Sequence, residues 1–236
     1  IKPNFKEWIF IILMGFIGYY LSSWFDFEGL KYIDASLERI ILFIYPTIVV
    51  ILSKIFLKTK ITKNQVLAIS VCYSGLIIIF YRKLFLDFEQ SENLIWGGFL
   101  VFLCAISYAV YFTGSGKLLP KLGTLSFTTK VMTIASLVVF AHFFIVKGFE
   151  CETYHWQVYL YSFLMSTIAT VLPSFMISES IRQLGADKVS VLASIGPIST
   201  ILLAIMFLGE TLYLEQFAGT AIILFGIYII SKSSNK

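Results

Sequence analysis

The chain has 236 residues, 58% of them hydrophobic and 14% charged, and its mean hydropathy is +0.86. That balance excludes a soluble domain with a charged surface and indicates an integral membrane protein. Neither a disulfide framework nor a CxxC metal site is expected, because Cys72 and Cys104 fall inside apolar runs and Cys151 stands alone in a loop.

Eight apolar runs of membrane-spanning length follow one another: 8–25, 35–57, 65–81, 94–115, 125–146, 157–180, 188–208 and 214–231. Segments such as "AIILFGIYII" are continuously apolar and do not alternate, which excludes a β-barrel. The fold class is therefore all-α, a polytopic transmembrane helical bundle. The first run has no small-residue cleavage site and reads as a span, not a removable signal peptide, and Ile1 stands where an initiator Met would. Near its outer end lie Tyr19, Tyr20, Ser23 and Trp24.

The second run, "ERIILFIYPTIVVILS", is the unusual one. Glu38 and Arg39 are ionisable groups inside a span, where such groups are expensive and usually face partners or a wet cavity. Neighbours on a helix point about 100° apart, so each is expected to need its own partner. Arg39 then receives a solute carboxylate while Glu38 holds an ammonium group or orients the arginine; alternatively both snorkel to headgroups. Pro46 has no N–H for Leu42 and is expected to kink the helix, and Tyr45 lies two turns from Glu38 on its face. The fourth run carries Ser107, Tyr108, Tyr111 and Gly114 at helical spacing, a pattern that suits an aromatic-lined cavity with a few hydroxyls. His142, Glu179 and Glu210 sit near span ends and read as interfacial. Pro173 adds a kink to the sixth run, and the seventh contains Ser194, Gly196, Pro197 and Ser199, small residues and a second kink.

The charges are distributed asymmetrically. With Ile1 cytoplasmic, thirteen of the eighteen Lys and Arg fall at inner ends and eleven of the fourteen acids at outer ends. This is the positive-inside bias, and it accounts for the net charge of +4 without a nucleic-acid partner. Both ends of the chain are then cytoplasmic.

Sliding the chain on itself by 151 positions aligns spans one to three with spans six to eight without a gap. Pro46 meets Pro197, Gly75 meets Gly226, Glu28 meets Glu179 and Ala35 meets Ala186. The mates are five spans apart, an odd number, so the repeat is inverted, a plan that places a transporter's solute site near the midplane between its halves. Residues 1–90 form a partial first repeat of three helices and 91–236 a second of five. By this reading roughly 60 residues carrying two further helices would precede Ile1.

"ASLERIILFIYPTIVVILSKIFL" resembles the proline-bearing fourth helix of the drug/metabolite transporter superfamily, in its ten-helix EamA-type members. "WGGFLVFLCAISYAVYFTGSGKLL" is similar to the sixth helix, "GADKVSVLASIGPISTILLAIMFLGE" to the ninth, and "LGET" with "GTAIILFGIYII" to the end of the second repeat. One departure is plain: Gly209 and Glu210 are matched in the first repeat by Lys58 and Thr59. The resemblance implies two inverted five-helix repeats around a central cavity. It implies a secondary transporter, usually an exporter of amino acids or other small metabolites, in the plasma (bacterial inner) membrane.

The expected solute-binding residues are Glu38, Arg39, Tyr45, Tyr108, Tyr111 and Ser194, with Pro46, Pro173, Gly196 and Pro197 at kinks or gates. The partners are a small solute and the lipid bilayer, and no cofactor or metal is called for. The alternative is a membrane enzyme acting on lipid or phosphate-bearing substrates, since "DFE" recurs at 26–28 and 87–89 on the outer side and paired acids can hold Mg²⁺. No HExxH, Ser-His-Asp set or Gly-rich phosphate loop accompanies them.

Overall fold

A computed structural model describes residues 3–33, 35–79, 81, 92–148, 154–196, 199, 206 and 214–233. Every regular element among them is helical. In chain order we label these α1 Phe5–Gly29, α2 Ala35–Leu42, α3 Tyr45–Phe56, α4 Lys63–Ile79, α5 Glu92–Leu122, α6 Thr124–Lys147, α7 Trp156–Leu184, α8 Ala186–Leu192 and α9 Leu214–Ser233. α1, α5, α6 and α7 are each long and apolar enough to cross a membrane.

Local chemistry sets the ends and interruptions. Asn4 caps α1: its side chain accepts from the Glu7 N–H at 2.9 Å, and the Glu7 carboxylate accepts from the Asn4 N–H at 2.8 Å. The second predicted span is divided into α2 and α3 by a turn at Phe43–Ile44, and Pro46 stands in the first turn of α3, where a missing N–H is tolerated. Tyr73 of α4 donates to the carbonyl of Ile44 at this break at 3.4 Å and bonds Thr47. Because α2 and α3 are separate helices, the expectation that Glu38 and Tyr45 share one continuous face is corrected.

α1 and α7 contain π-helical stretches, Phe16–Leu21 and Met165–Val171. Shifted by 151, the first becomes 167–172 and overlaps most of the second. Pro173 follows the stretch in α7, but its counterpart in α1 is Ser22, so the widening does not depend on a proline. In two places a single glycine turns the chain between consecutive helices, Gly123 (φ +78) between α5 and α6 and Gly185 (φ +91) between α7 and α8.

α4 and α9 pack more closely than any helices with side chains at the crossing could. A Cβ on Gly75 would lie 2.8 Å from the Gly219 carbonyl oxygen, and one on Gly226 would lie 3.1 Å from the Ala68 carbonyl oxygen. These two contacts exchange under the offset of 151, and between them the Cys72 thiol faces the carbonyl of Ile223, its own mate, at 4.0 Å. Rising numbers on one helix meet falling numbers on the other, so the two run antiparallel. Lys58, which the offset places on Gly209, takes the left-handed conformation that glycine adopts without strain (φ 58). Lys58→Gly should therefore stabilise the fold by about 0.5–1 kcal/mol, the relief of strain offset in part by greater freedom in the unfolded chain. A thermal unfolding midpoint in detergent that does not rise would refute this.

The main core is built on α5. Phe112, Leu119, Phe127 and Val131 are fully buried there with Ile11, Val49 and Ile181. Gly18 of α1 lies against the ring of Tyr111.

Candidate functional site

At one end of the bundle polar ties join neighbouring helices. Glu7 of α1 pairs with Lys121 of α5, Gln65 of α4 donates to Asp187 of α8 at 2.5 Å, and Thr124 of α6 bonds Glu179 of α7, which also takes Arg182 at 2.5 Å. These ties lie beside Asn4, Gly123 and Gly185, at the end where the short links occur.

About 15–30 Å along the helices from that end opens a cavity of 780 Å³. α1 contributes Ser22, Ser23 and Asp26; α2, the turn and α3 contribute Arg39, Leu42, Phe43 and Tyr45; α5 contributes Cys104 and Tyr108. The far side is Ala169 and Pro173 of α7 with Ala193, Gly196 and Ser199 of the α8 segment. The π-helical stretch of α7 thus reaches the cavity through Ala169, and in α1 the residues just after its stretch, Ser22, Ser23 and Asp26, do so.

The floor is aromatic. Tyr45 and Tyr108 meet edge to face at 5.1 Å, and Phe112 packs against both at 5.6 and 4.9 Å. Tyr45 donates to the Ser190 carbonyl at 3.4 Å, tying α3 to α8. Below it Tyr111 is 3% exposed and shares a 3.2 Å hydroxyl bond with Tyr19.

Of the expected binding residues, Arg39, Tyr45 and Tyr108 stand on the cavity wall. Glu38 is 3% exposed behind Arg39, and Tyr111 lies under the floor without lining the cavity. Pro173 and Gly196 line the wall, and Pro46 is buried at the start of α3. The side chain of Ser194 and the whole of Pro197 lie outside the described residues, as do Glu210 and the "DFE" at 87–89.

Two expectations are corrected. Glu38 and Arg39 do pair, Nε to Oε2 at 3.3 Å, because the long arginine side chain folds back across the angle between neighbouring positions. Asp26, read with Glu28 as part of an outer-side acid pair, is instead a helical residue of α1 that lines the cavity, while Glu28 pairs with Lys31 at 2.6 Å. Sequence reasoning missed Asp26 as a site residue. Its spacing of three and four residues from Ser23 and Ser22 was the available signal.

The arrangement offers one cation, Arg39, and one carboxyl, Asp26, beside aromatic faces in a cavity of solute size, with Glu38 buried behind the arginine. Among known proteins, residues 1–81 and 95–232 match the EamA-like transporter family. The chain is similar to the uncharacterized transporter YcbK of Bacillus subtilis (strain 168), 28% identical over 221 residues, covering 90% of this chain and 69% of that one. An uncharacterized transporter of Archaeoglobus fulgidus is 26% identical over 248 residues, covering 97% of this chain and 79% of its own. In fold the chain is similar to solved structures, among them a crystal structure with a TM-score of 0.77 at 15% identity, over 98% of this chain and 79% of that one.

Proposed function

The chain belongs to the EamA-like transporter family, and from that premise we propose that this membrane transporter exports amino acids or similar small metabolites. The solute rides in the 780 Å³ cavity. Residues 1–90 and 91–236 act as two inverted repeats that rock about it, in a bacterial inner membrane with both chain ends cytoplasmic. The supporting observation is a cavity walled by helices from both halves, with polar ties between helices gathered at one end of the bundle. With the charge bias placing that end in the cytoplasm, the ties Glu7–Lys121, Gln65–Asp187 and Thr124–Glu179 form the inner gate, and the cavity faces outward. The antiparallel, offset-related crossing of α4 and α9 supports the inverted repeat and supplies a rigid seam between the halves.

Arg39, with half of its side chain exposed at the wall, is the group for a solute carboxylate. Arg39→Ala should weaken half-saturation for carboxylate-bearing solutes by about tenfold or more, the loss of a charge-assisted hydrogen bond, while Arg39→Lys retains part of the affinity. Concentration-dependent flux through the full-length protein in liposomes measures this; an unchanged half-saturation would remove Arg39 from the site.

A further inference from the structure

A second cavity, of 170 Å³, shares no lining residue with the first. It lies between α1 and α3 on the face of α5, with Met14, Leu52, Val110 and Phe56 in its apolar wall. Phe56 is 67% exposed, so the cavity opens sideways toward the bilayer. Two polar groups of α5 also line it. Lys117 stands one turn before Lys121, the residue tied to Glu7, so it belongs to the end that carries the ties. Its ammonium lies 5.6 Å from the centre of the Phe10 ring and, among the described residues, meets no carboxylate. Thr113 stands one turn deeper, is 4% exposed, and its hydroxyl has no hydrogen-bond partner. A helical threonine ordinarily bonds a carbonyl three or four residues back. A buried hydroxyl that does not, at a cavity wall, is left for an acceptor on a ligand.

Lys117 and Thr113 are four residues apart, about 6 Å along the helix axis, and the apolar wall continues beyond them. The order of cation, hydroxyl donor and apolar surface matches a glycerophospholipid followed from phosphate to ester carbonyl to acyl chain. With the charge bias placing this end at the cytoplasmic leaflet, the lipids that reach it include anionic ones. The volume admits about five or six groups of methylene size at ~30 Å³ each, the share of a water in the liquid. The first carbons of one chain therefore enter, and the rest stays in the bilayer.

We propose that this cavity binds one anionic glycerophospholipid of the cytoplasmic leaflet. Lys117 pairs with the phosphate, Thr113 donates to the ester carbonyl of one chain, and the first carbons of that chain lie against Met14, Leu52 and Val110. Because α1 and α3 also wall the larger cavity, a lipid seated here braces two of its sides. The site rests on the membrane placement of this end and is independent of which solute the protein carries.

The test uses the full-length protein in detergent, titrated with phosphatidylglycerol or phosphatidylcholine of identical chains and followed by native mass spectrometry and thermal unfolding. Phosphatidylglycerol should bind about tenfold more tightly, because the choline ammonium offsets the phosphate that Lys117 would take. Lys117→Gln should bring the two lipids to parity and Lys117→Arg should keep the preference. Lys130→Gln, which removes a cation of α6 outside this cavity, should leave it unchanged. Thr113→Val should weaken ester lipids of either headgroup by about threefold, one neutral hydrogen bond, and should not affect an ether-linked phosphatidylglycerol, which has no carbonyl there. Inorganic phosphate should not raise the unfolding midpoint, since it leaves the apolar wall empty. Equal affinity of the parent for both lipids would overturn the site. Equal losses in Lys117→Gln and Lys130→Gln would overturn it too, replacing it with diffuse attraction to a basic surface. Stabilisation by phosphate alone would reassign it to a free anion, and a loss in Thr113→Val for the ether lipid would overturn the carbonyl contact. Should Lys117→Gln fail to fold, the comparison of lipids on the parent and on Thr113→Val still decides.

Discussion

Gly219→Leu is expected to leave little or no stably folded protein. A Cβ at this position would lie 2.5 Å from the Gly75 carbonyl oxygen and 3.0 Å from the backbone nitrogen of Ile79. Both are main-chain atoms of a helix, so no side chain can rotate aside, and α9 would have to leave α4. Overpacking a core ordinarily costs about 1–3 kcal/mol. Separating a helix pair whose contact depends on backbone approach should exceed the upper value, since in a bilayer close packing is the main force holding helices together. Gly98→Ala is the control, because its Cβ would meet just the end of Ile41 at 3.3 Å. Thermal unfolding in detergent should show a lost or strongly lowered transition for Gly219→Leu and a shift worth less than about 1 kcal/mol for Gly98→Ala. A native-like midpoint for Gly219→Leu would mean that α4 and α9 are not packed in this way.

The second large effect concerns the cavity. Ala169 lies on the π-helical stretch of α7 and faces the wall formed by Ser22, Asp26 and Tyr45. An indole there projects into the space the solute would occupy and disturbs no buried contact, because Ala169 is exposed. Ala169→Trp should therefore cut flux by at least about tenfold while its unfolding midpoint stays near that of the parent. Undiminished flux from a well-folded Ala169→Trp would place the pathway elsewhere.

Much of the fold was legible because the membrane makes it so: a span needs a long apolar run, and each described helix falls on one. The break ahead of Pro46 followed from a missing N–H, and the offset of 151 pointed to the glycines that meet at the crossing of α4 and α9. Faces were harder to read. Helices apolar all round give no stripe to follow, so the sequence could name Tyr108 and Tyr111 together but could not say that one lines the cavity and the other lies beneath it. Asp26 was obscured for a related reason. The π-helical stretch at Phe16–Leu21 rotates everything after it relative to a 3.6-residue period, and the "DFE" at 26–28, just past the first apolar run, is the last part of the same helix. The pairing of Glu38 with Arg39 was excluded by backbone angles alone, although a long flexible side chain can cross them.

The most direct test of the account is solute release from liposomes loaded with mixed amino acids and small metabolites, comparing the full-length protein with Ala169→Trp. The account predicts saturable release of a defined solute by the parent and little by the variant. No release by the folded parent, or equal release by both, would contradict it.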